Sequence, residues 1–426
     1  MLKNIFSVLF LTVFPVLTVL SCSRSDSNNS IAECNDENKY IVPQGTADET
    51  FLVGPYLMHT TGSFVALSWE TKAQADTVVE YGLKSTDEFR VTGPSGTMHR
   101  AVMTRLEPGN VYKYKACSDQ KCTGELTFAT PPLLDTPFRF VVYGDSRSNP
   151  DEHAIVAKEI AESSPALVFN VGDIVERGEF RDQFKSMHFD PTRELGQHVP
   201  IYVSIGNHEF NGDRKGTYFK EYMMYPGDEN LPDRPSEKDL PPHPEFSYAF
   251  RYQDVFFLIL DDTMDALDIF SPVKGYEPPL WLWLKRQVQS EAAKTAKWRF
   301  AFMHYPPDSK CISDTDANSA PFSAVRGDVV PLLRENNFDA LFTGHVHDYE
   351  RMNFKGFPVV ITGGGGAGLE QADSCTREFS QSQSFTSVHH YTVVDLNCEQ
   401  ADIRALDVDG NLLDEFTLKG HDGHVR

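Results

Sequence analysis

The strongest constraint on this fold is the short run Ala340 to Thr343 and what ends it, Gly344-His345-Val346-His347 followed by Asp348-Tyr349-Glu350-Arg351. An apolar run of that length, bounded by glycine, reads as a short buried strand. Two imidazoles one residue apart then emerge where the strand gives way to a loop, an arrangement that can serve two metal ions. Four other strand-like runs end in the same manner. Phe138 to Tyr143 stops at Gly144-Asp145, and Ala166 to Val171 at Gly172-Asp173. Ile201 to Ile205 stops at Gly206-Asn207-His208-Glu209, and Trp298 to Met303 at His304. In open α/β sheets, ligands collect in the crevice beyond the carboxyl ends of the strands, so side chains far apart in sequence meet there. Two Asp, one Asn and three His are expected to converge.

The rest of the chain fits a sheet-based α/β domain from 138 to 420, preceded by the linker Pro131 to Pro137. Asp151 to Ser163 reads as a helix, and Leu280 to Ala296 as another with Trp281, Leu284 and Val288 on one face. His390 to Leu396, Ala401 to Asp407 and Leu412 to Leu418 read as closing strands, with Asp409-Gly410-Asn411 as a turn. Asn211 to Pro244, rich in Pro, Gly and charge, reads as a long surface loop that either walls the cleft or is a variable insertion. Gly363 to Gly368 satisfies G-x-G-x-x-G after the run Pro358 to Thr362, but the polar stretch Glu370 to Ser374 follows instead of an apolar helix. That excludes a dinucleotide fingerprint and leaves a tight loop near the cleft.

Residues 48–131 hold short β-rich runs, Phe64 to Glu70, Thr77 to Tyr81, Val111 to Cys117 and Glu125 to Thr130, which suggest a small β-sandwich with Trp69 in its core. At residues 1–22, Lys3, the apolar stretch Ile5 to Leu20 and Ser21-Cys22 read as a cleaved signal. Val19-Leu20-Ser21-Cys22 is similar to a bacterial lipobox, which would make Cys22 a lipid-anchored first residue and residues 23–47 a flexible tether. The alternative is an ordinary secretory peptide, and either exports the protein. Six cysteines follow Cys22, an even number that favours disulfides in an exported chain. Cys117 and Cys122 flank a short polar turn and are expected to pair, while Cys34, Cys311, Cys375 and Cys398 leave three connectivities. A formal net charge of −22 excludes tracking along a nucleic-acid backbone, which needs clustered Lys and Arg.

Taken in order, the Gly-Asp, Gly-Asp, Gly-Asn-His-Glu, His and Gly-His-x-His motifs resemble the calcineurin-like metallophosphoesterase superfamily. Met303-His304-Tyr305-Pro306-Pro307 and the stretch Gly344 to Arg351 resemble its purple acid phosphatase-like branch. The resemblance implies a four-layer αββα sandwich preceded by a fibronectin type III-like domain, whose tyrosine corner is matched by Leu106 to Tyr112. It implies two metal ions, divalent or trivalent, of iron, zinc or manganese. Asp145 and His347 would bind the first, Asn207, His304 and His345 the second, with Asp173 bridging both. His208 resembles the family's outer-sphere histidine, a substrate contact and proton donor. Glu209 reads as supporting structure.

Three departures limit the resemblance. The purple enzymes carry Gly-Asp-x-x-Tyr, with the tyrosine on ferric iron, where this chain has Gly172-Asp173-Ile174-Val175-Glu176. Other members carry Asp-x-His where this chain has Asp145-Ser146-Arg147. No histidine lies between Tyr305 and Gly344, so the family's further substrate histidines have no counterpart. Arg147 is therefore a candidate phosphate contact, with Lys310 and Arg326 as rivals and pairing with Glu176 as its structural alternative. The expected function is hydrolysis of small-molecule phosphate monoesters by a metal-bound hydroxide, with Asp173 and His208 in the catalytic machinery. The alternatives are a phosphodiesterase acting on nucleotides or lipid head groups, and a surface lipoprotein that binds without catalysis.

Overall fold

The computed structural model describes residues 50–263 and 276–420. The signal, the tether, Cys22 and Cys34 lie outside them. Two sheets form the body of the molecule. One runs Tyr248–Tyr252, Val255–Ile259, Trp298–Phe302, Ala340–Thr343, Phe357–Thr362, Tyr349–Phe354, Ser382–Thr386, in that spatial order. The other runs Leu412–Lys419, Gln400–Asp407, His390–Leu396, Phe138–Tyr143, Leu167–Asn170, Ile201–Val203. The centre of each is parallel, with Val255 opposite Trp298, Phe300 opposite Ala340 and Phe342 opposite Val360 in the first, and Phe140 opposite Leu167 and Val168 opposite Ile201 in the second. These strands are apolar on both faces because both are covered, as the continuous runs in the sequence require.

Between the sheets the core is aromatic. Phe169 stacks on Phe302 at 4.0 Å, and Phe140 meets Phe169, Phe257 and Phe300 edge to face. Each such ring removes about 2–3 kcal/mol of apolar surface from water, before the added aromatic geometry. On the outer face of one sheet lies the helix Pro150–Glu162, with Pro in its first turn, Asp151 and Glu152 favouring its positive end, and His153, Val156, Ala157 and Ile160 buried at helical spacing. Trp281, Leu284 and Val288 cover the outer face of the other sheet, packed with Phe256, Leu258 and Leu341. The expected single helix from Leu280 is two, Pro279–Val288 and Glu291–Lys294, because the Ser290 side chain caps a new start by accepting from the Ala293 amide. The layers are the αββα sandwich.

Before this body stands a six-stranded β structure with its own core, in which Trp69 is fully buried and donates to Ser118 Oγ at 3.0 Å. The two runs expected as separate strands are one strand, Val65–Gly82. The Glu107 amide donates to the Tyr112 hydroxyl at 2.9 Å, the bond that a tyrosine corner makes. The stretch Asn211 to Pro244 is not merely a surface insertion: Phe219, Tyr222, Met223, Met224, Tyr225 and Leu231 are buried in it. It packs against the N-terminal strands, where the Tyr222 hydroxyl donates to Glu70 at 2.7 Å and Arg100 donates to the carbonyls of Lys220 and Glu221.

Candidate metal centre

Because the central strands of both sheets are parallel, their carboxyl ends open on one edge. Asp145 follows Phe138–Tyr143, Asp173 follows Leu167–Asn170, Asn207 follows Ile201–Val203, His304 follows Trp298–Phe302, and His345 and His347 follow Ala340–Thr343. Asp145, Asp173 and His345 turn with φ of +55°, +58° and +70°, a left-handed backbone that costs a side-chain-bearing residue about 1–3 kcal/mol unless its surroundings enforce it. The surroundings do. The Asp145 amide donates to the Gly172 carbonyl at 2.9 Å, and the His345 amide donates to the Asp145 carboxylate at 2.9 Å. The glycines of the motifs have a related cause: a Cβ on Gly344 would stand 2.3 Å from Asp145 Oδ2, and one on Gly206 2.3 Å from Asp173 Oδ1.

The six side chains converge as expected. Asn207 Oδ1 lies 3.1 Å from His304 Nε2 and 3.0 Å from His345 Nδ1, and these two nitrogens are 3.3 Å apart. Asp173 Oδ1 is 3.4 Å from His304 Nε2, and Asp145 Oδ1 is 3.6 Å from His347 Nε2. Donors bound to one ion at about 2.1 Å stand about 3.0–3.4 Å apart, so this spacing fits a common cation. The remote ring nitrogens are engaged: His304 Nδ1 donates to the Val171 carbonyl at 2.8 Å and His347 Nδ1 to the Gly368 carbonyl at 2.6 Å. That leaves Nε2 of both rings facing inward, as outer partners of ligating histidines do. Carboxylate, amide oxygen and imidazole together suit iron, zinc or manganese.

The electrostatics point the same way. Burial pushes the Asp145 carboxyl well above the usual range. Burial also works against the Asp173 carboxylate, yet the charges of His304, His208 and Arg147 hold it below that range. His304, which burial alone would lower, is raised to about 10 by Asp173, Asp145 and Asp262. Burial and the neighbouring His304 push His345 down to about 3. A proton on His304 is thus the counter-charge for the buried Asp173 carboxylate, a task that a metal cation would take over on displacing it.

His208 sits beside this set. Its Nδ1 donates to the Glu176 carbonyl at 2.7 Å, which turns Nε2 toward Asp173, 3.9 Å from Oδ2. Arg147 is held by carboxylates: Nε is 3.3 Å from Asp173 Oδ2 and Nη1 is 2.9 Å from Glu176 Oε2, which Ser148 also engages. The rivals are occupied elsewhere, Arg326 with the Pro307 carbonyl and Asp308, and Lys310 over the Phe385 ring.

Two supports are larger than the sequence suggested. Glu209, fully buried, accepts from the amides of Asp173, Ile174, Val175 and Gly206 at 2.6–3.2 Å. Asp262, absent from the expected set, accepts from the amides of His304 and Tyr305 at 3.1 and 2.7 Å. Its signal was present, since Val255–Ile259 is another apolar run that ends in acid, Asp261-Asp262. The glycine loop lies at the cleft: Gly365 and Ala367 donate to the carbonyls of Gly144 and Asp145, and the Gly368 carbonyl holds His347.

Residues 138–349 match the family model of calcineurin-like phosphoesterases. Purple acid phosphatase 23 of Arabidopsis thaliana is 27% identical over 66% of this chain and 64% of its own length. The probable purple acid phosphatase 20 of the same plant is 26% identical over 78% of each chain. The chain thus spans slightly less than two thirds of the first relative's length. The structure of a purple acid phosphatase, PPD1, from yellow lupin (Lupinus luteus) seeds superposes with a TM-score of 0.70 at 18% identity, over 86% of this chain and 74% of that one.

Proposed function

From a chain that belongs to the calcineurin-like phosphoesterase superfamily, in its purple acid phosphatase-like branch, we propose an exported metal-dependent phosphatase that hydrolyses phosphate monoesters. One observation carries the reading: six side chains from five strand ends face one another, with neighbouring donor atoms 3.0–3.6 Å apart and those of Asp145, Asp173 and His304 all within 4.8 Å. Two ions held there, when bound, neutralise phosphoryl oxygens and make a water nucleophilic near neutral pH. Asp145 and His347 would hold the first, and Asn207, His304 and His345 the second. Asp173 would serve both, since its carboxylate lies with Asp145 of the first set and His304 of the second, their ligand atoms within 4.8 Å of one another.

The other residues position and move protons. With Nδ1–H committed to the Glu176 carbonyl, a protonated His208 carries its second proton on Nε2, the atom that faces the site, and passes it to the departing alkoxide. Arg147 binds a phosphoryl oxygen through Nη2, the end of its fork that no described residue engages, while Glu176 and Asp173 fix the rest. Glu209 and Asp262 set the backbones that carry Asp173 and His304.

Export is supported by two disulfides, Cys117–Cys122 and Cys311–Cys375, which belong to an oxidising compartment. The lipid anchor at Cys22 belongs to this proposal, as does a fibronectin type III-like N-terminal domain, which the Tyr112 corner supports. The test is reconstitution of metal-free protein with zinc, manganese or iron separately, followed by assay on p-nitrophenyl phosphate and its bis ester. Turnover of the monoester above the bis ester is expected. The reverse order would make it a diesterase, and metal-loaded protein inert on both would leave a binding lipoprotein.

A further inference from the structure

The proposed chemistry leaves one hydroxyl at the centre without a task. Tyr305 follows His304 directly, and its amide is tied to Asp262 Oδ2 at 2.7 Å. Its ring lies against His345, centroid to centroid 4.2 Å, and edge-on to His304 at 5.5 Å, with Phe322 behind it at 5.5 Å. The side chain is thus wedged among the imidazoles of one metal's donor set, and it is only half-buried. Among the described residues no protein group bonds the Tyr305 hydroxyl, and it is not one of the buried unpartnered atoms, so solvent reaches it. A phenol offers one O–H donor.

On the reading of this site as a phosphoester centre, we infer that the Tyr305 hydroxyl donates a hydrogen bond to a phosphoryl oxygen of the substrate. The two oxygens of Asp173 divide the site: Oδ2 faces Arg147 and His208, and Oδ1 faces His304, on whose side Tyr305 lies. Arg147 and Tyr305 therefore hold the phosphoryl group from different sides. On the Tyr305 side the donor is a phenol because no imidazole between Tyr305 and Gly344 exists to supply one. A hydrogen bond to an anionic oxygen is among the stronger ones, so its removal is felt.

The test is Tyr305→Phe in the full metal-loaded chain, which keeps the ring against His345 and deletes only the hydroxyl. Metal content, melting temperature, kinetics on p-nitrophenyl phosphate and calorimetric binding of inorganic phosphate are measured side by side. Expected are unchanged metal content and melting temperature, with phosphate bound about tenfold more weakly and kcat/KM lowered about tenfold or more. Unchanged phosphate affinity and kinetics overturn the inference. Loss of metal or early melting also overturns it, since the residue's role is then to pack against the ligands. Wild type that binds phosphate but cleaves no ester removes the phosphatase reading, while a tenfold weaker Tyr305→Phe affinity in that case retains the contact. Wild type that neither binds phosphate nor turns over removes both.

Discussion

The Glu209 carboxylate reaches back to Asp173: Oε2 accepts from the Asp173 amide at 3.0 Å, while Oε1 accepts from the next two amides, of Ile174 and Val175. Glu209 therefore builds the turn whose left-handed residue is the proposed bridging ligand. Glu209→Gln puts an NH2 donor among backbone donors, leaving buried amides unsatisfied at about 1–3 kcal/mol each. Metal affinity should fall about 10–100-fold, the usual cost of losing an outer partner. Metal titration and thermal melts check this; wild-type affinity in the variant would show that Asp173 holds its place without Glu209.

Asp173→Asn and His304→Ala each remove a proposed ligand rather than a support. Hydrolysis should be abolished, and metal binding should fall by more than the roughly 100-fold of an outer-partner loss. Far-UV circular dichroism should stay unchanged, because both residues lie beyond the strand ends. A variant with near wild-type turnover would sink the dimetal assignment.

The metal-loaded protein should not be purple. Glu176 occupies the position of the tyrosine that gives the family its colour, and its carboxylate is engaged by Arg147 and Ser148. A carboxylate cannot supply a tyrosinate-to-iron transition. Visible spectra of the ferric-loaded protein with and without chelator decide it: an intense band lost on chelation would mean a phenolate ligand, for which Tyr305 is the phenol at hand.

Legibility in the sequence followed physical range. The five strand ends and the six side chains that meet beyond them could be read because an apolar run and the residue that stops it are local features. The run Val255–Ile259 gave the same signal, and Asp262 escaped because acids after a strand are common and this one serves backbone amides rather than the metal set. Glu209 could be named but not measured, since its partners at 173–175 lie far away in sequence. The strand Phe89–Met103 was missed because Gly93, Pro94 and Gly96 interrupt it, and its pairing with Val65–Gly82 is what holds it. Asn211 to Pro244 looked like surface from composition, while its burial depends on a partner more than 100 residues earlier, as in Tyr222 with Glu70.

Arg147 is held by one ion pair with Asp173 and another with Glu176, at 15% side-chain exposure. Arg147→Ala should leave the fold intact. If the guanidinium meets phosphate equally in ground and transition states, KM rises about tenfold with kcat unchanged; if the contact strengthens in the transition state, kcat falls. Glu176→Gln loosens the clamp and should produce a smaller change in the same parameter. Unchanged kinetics in Arg147→Ala, with metal content intact, would leave Arg147 a purely structural tie between Asp173 and Glu176.

The last prediction concerns acid, at a distance from the metal centre. His153 and His188 are buried and stacked, ring centroids 6.2 Å apart; His153 Nδ1 donates to the Met187 carbonyl at 2.7 Å, while His188 Nδ1 has no partner among the described residues. Burial lowers His153 to about 4, and burial with the neighbouring His153 lowers His188 to about 3. Both are depressed below the unfolded value near 6.5, so protons favour the unfolded chain. The stability they leave intact above about pH 6.5 is lost as pH falls toward the folded values. For His188 alone the loss between neutrality and pH 5 is about 2 kcal/mol. His188→Phe keeps a ring in the place and removes the titration, so urea unfolding near pH 7.5 and near pH 5 should show a drop smaller than wild type's by about that amount. Parallel pH dependence in the two proteins would mean that His188 already binds a proton in the folded state, and that its unpartnered nitrogen is not a cost of acidification.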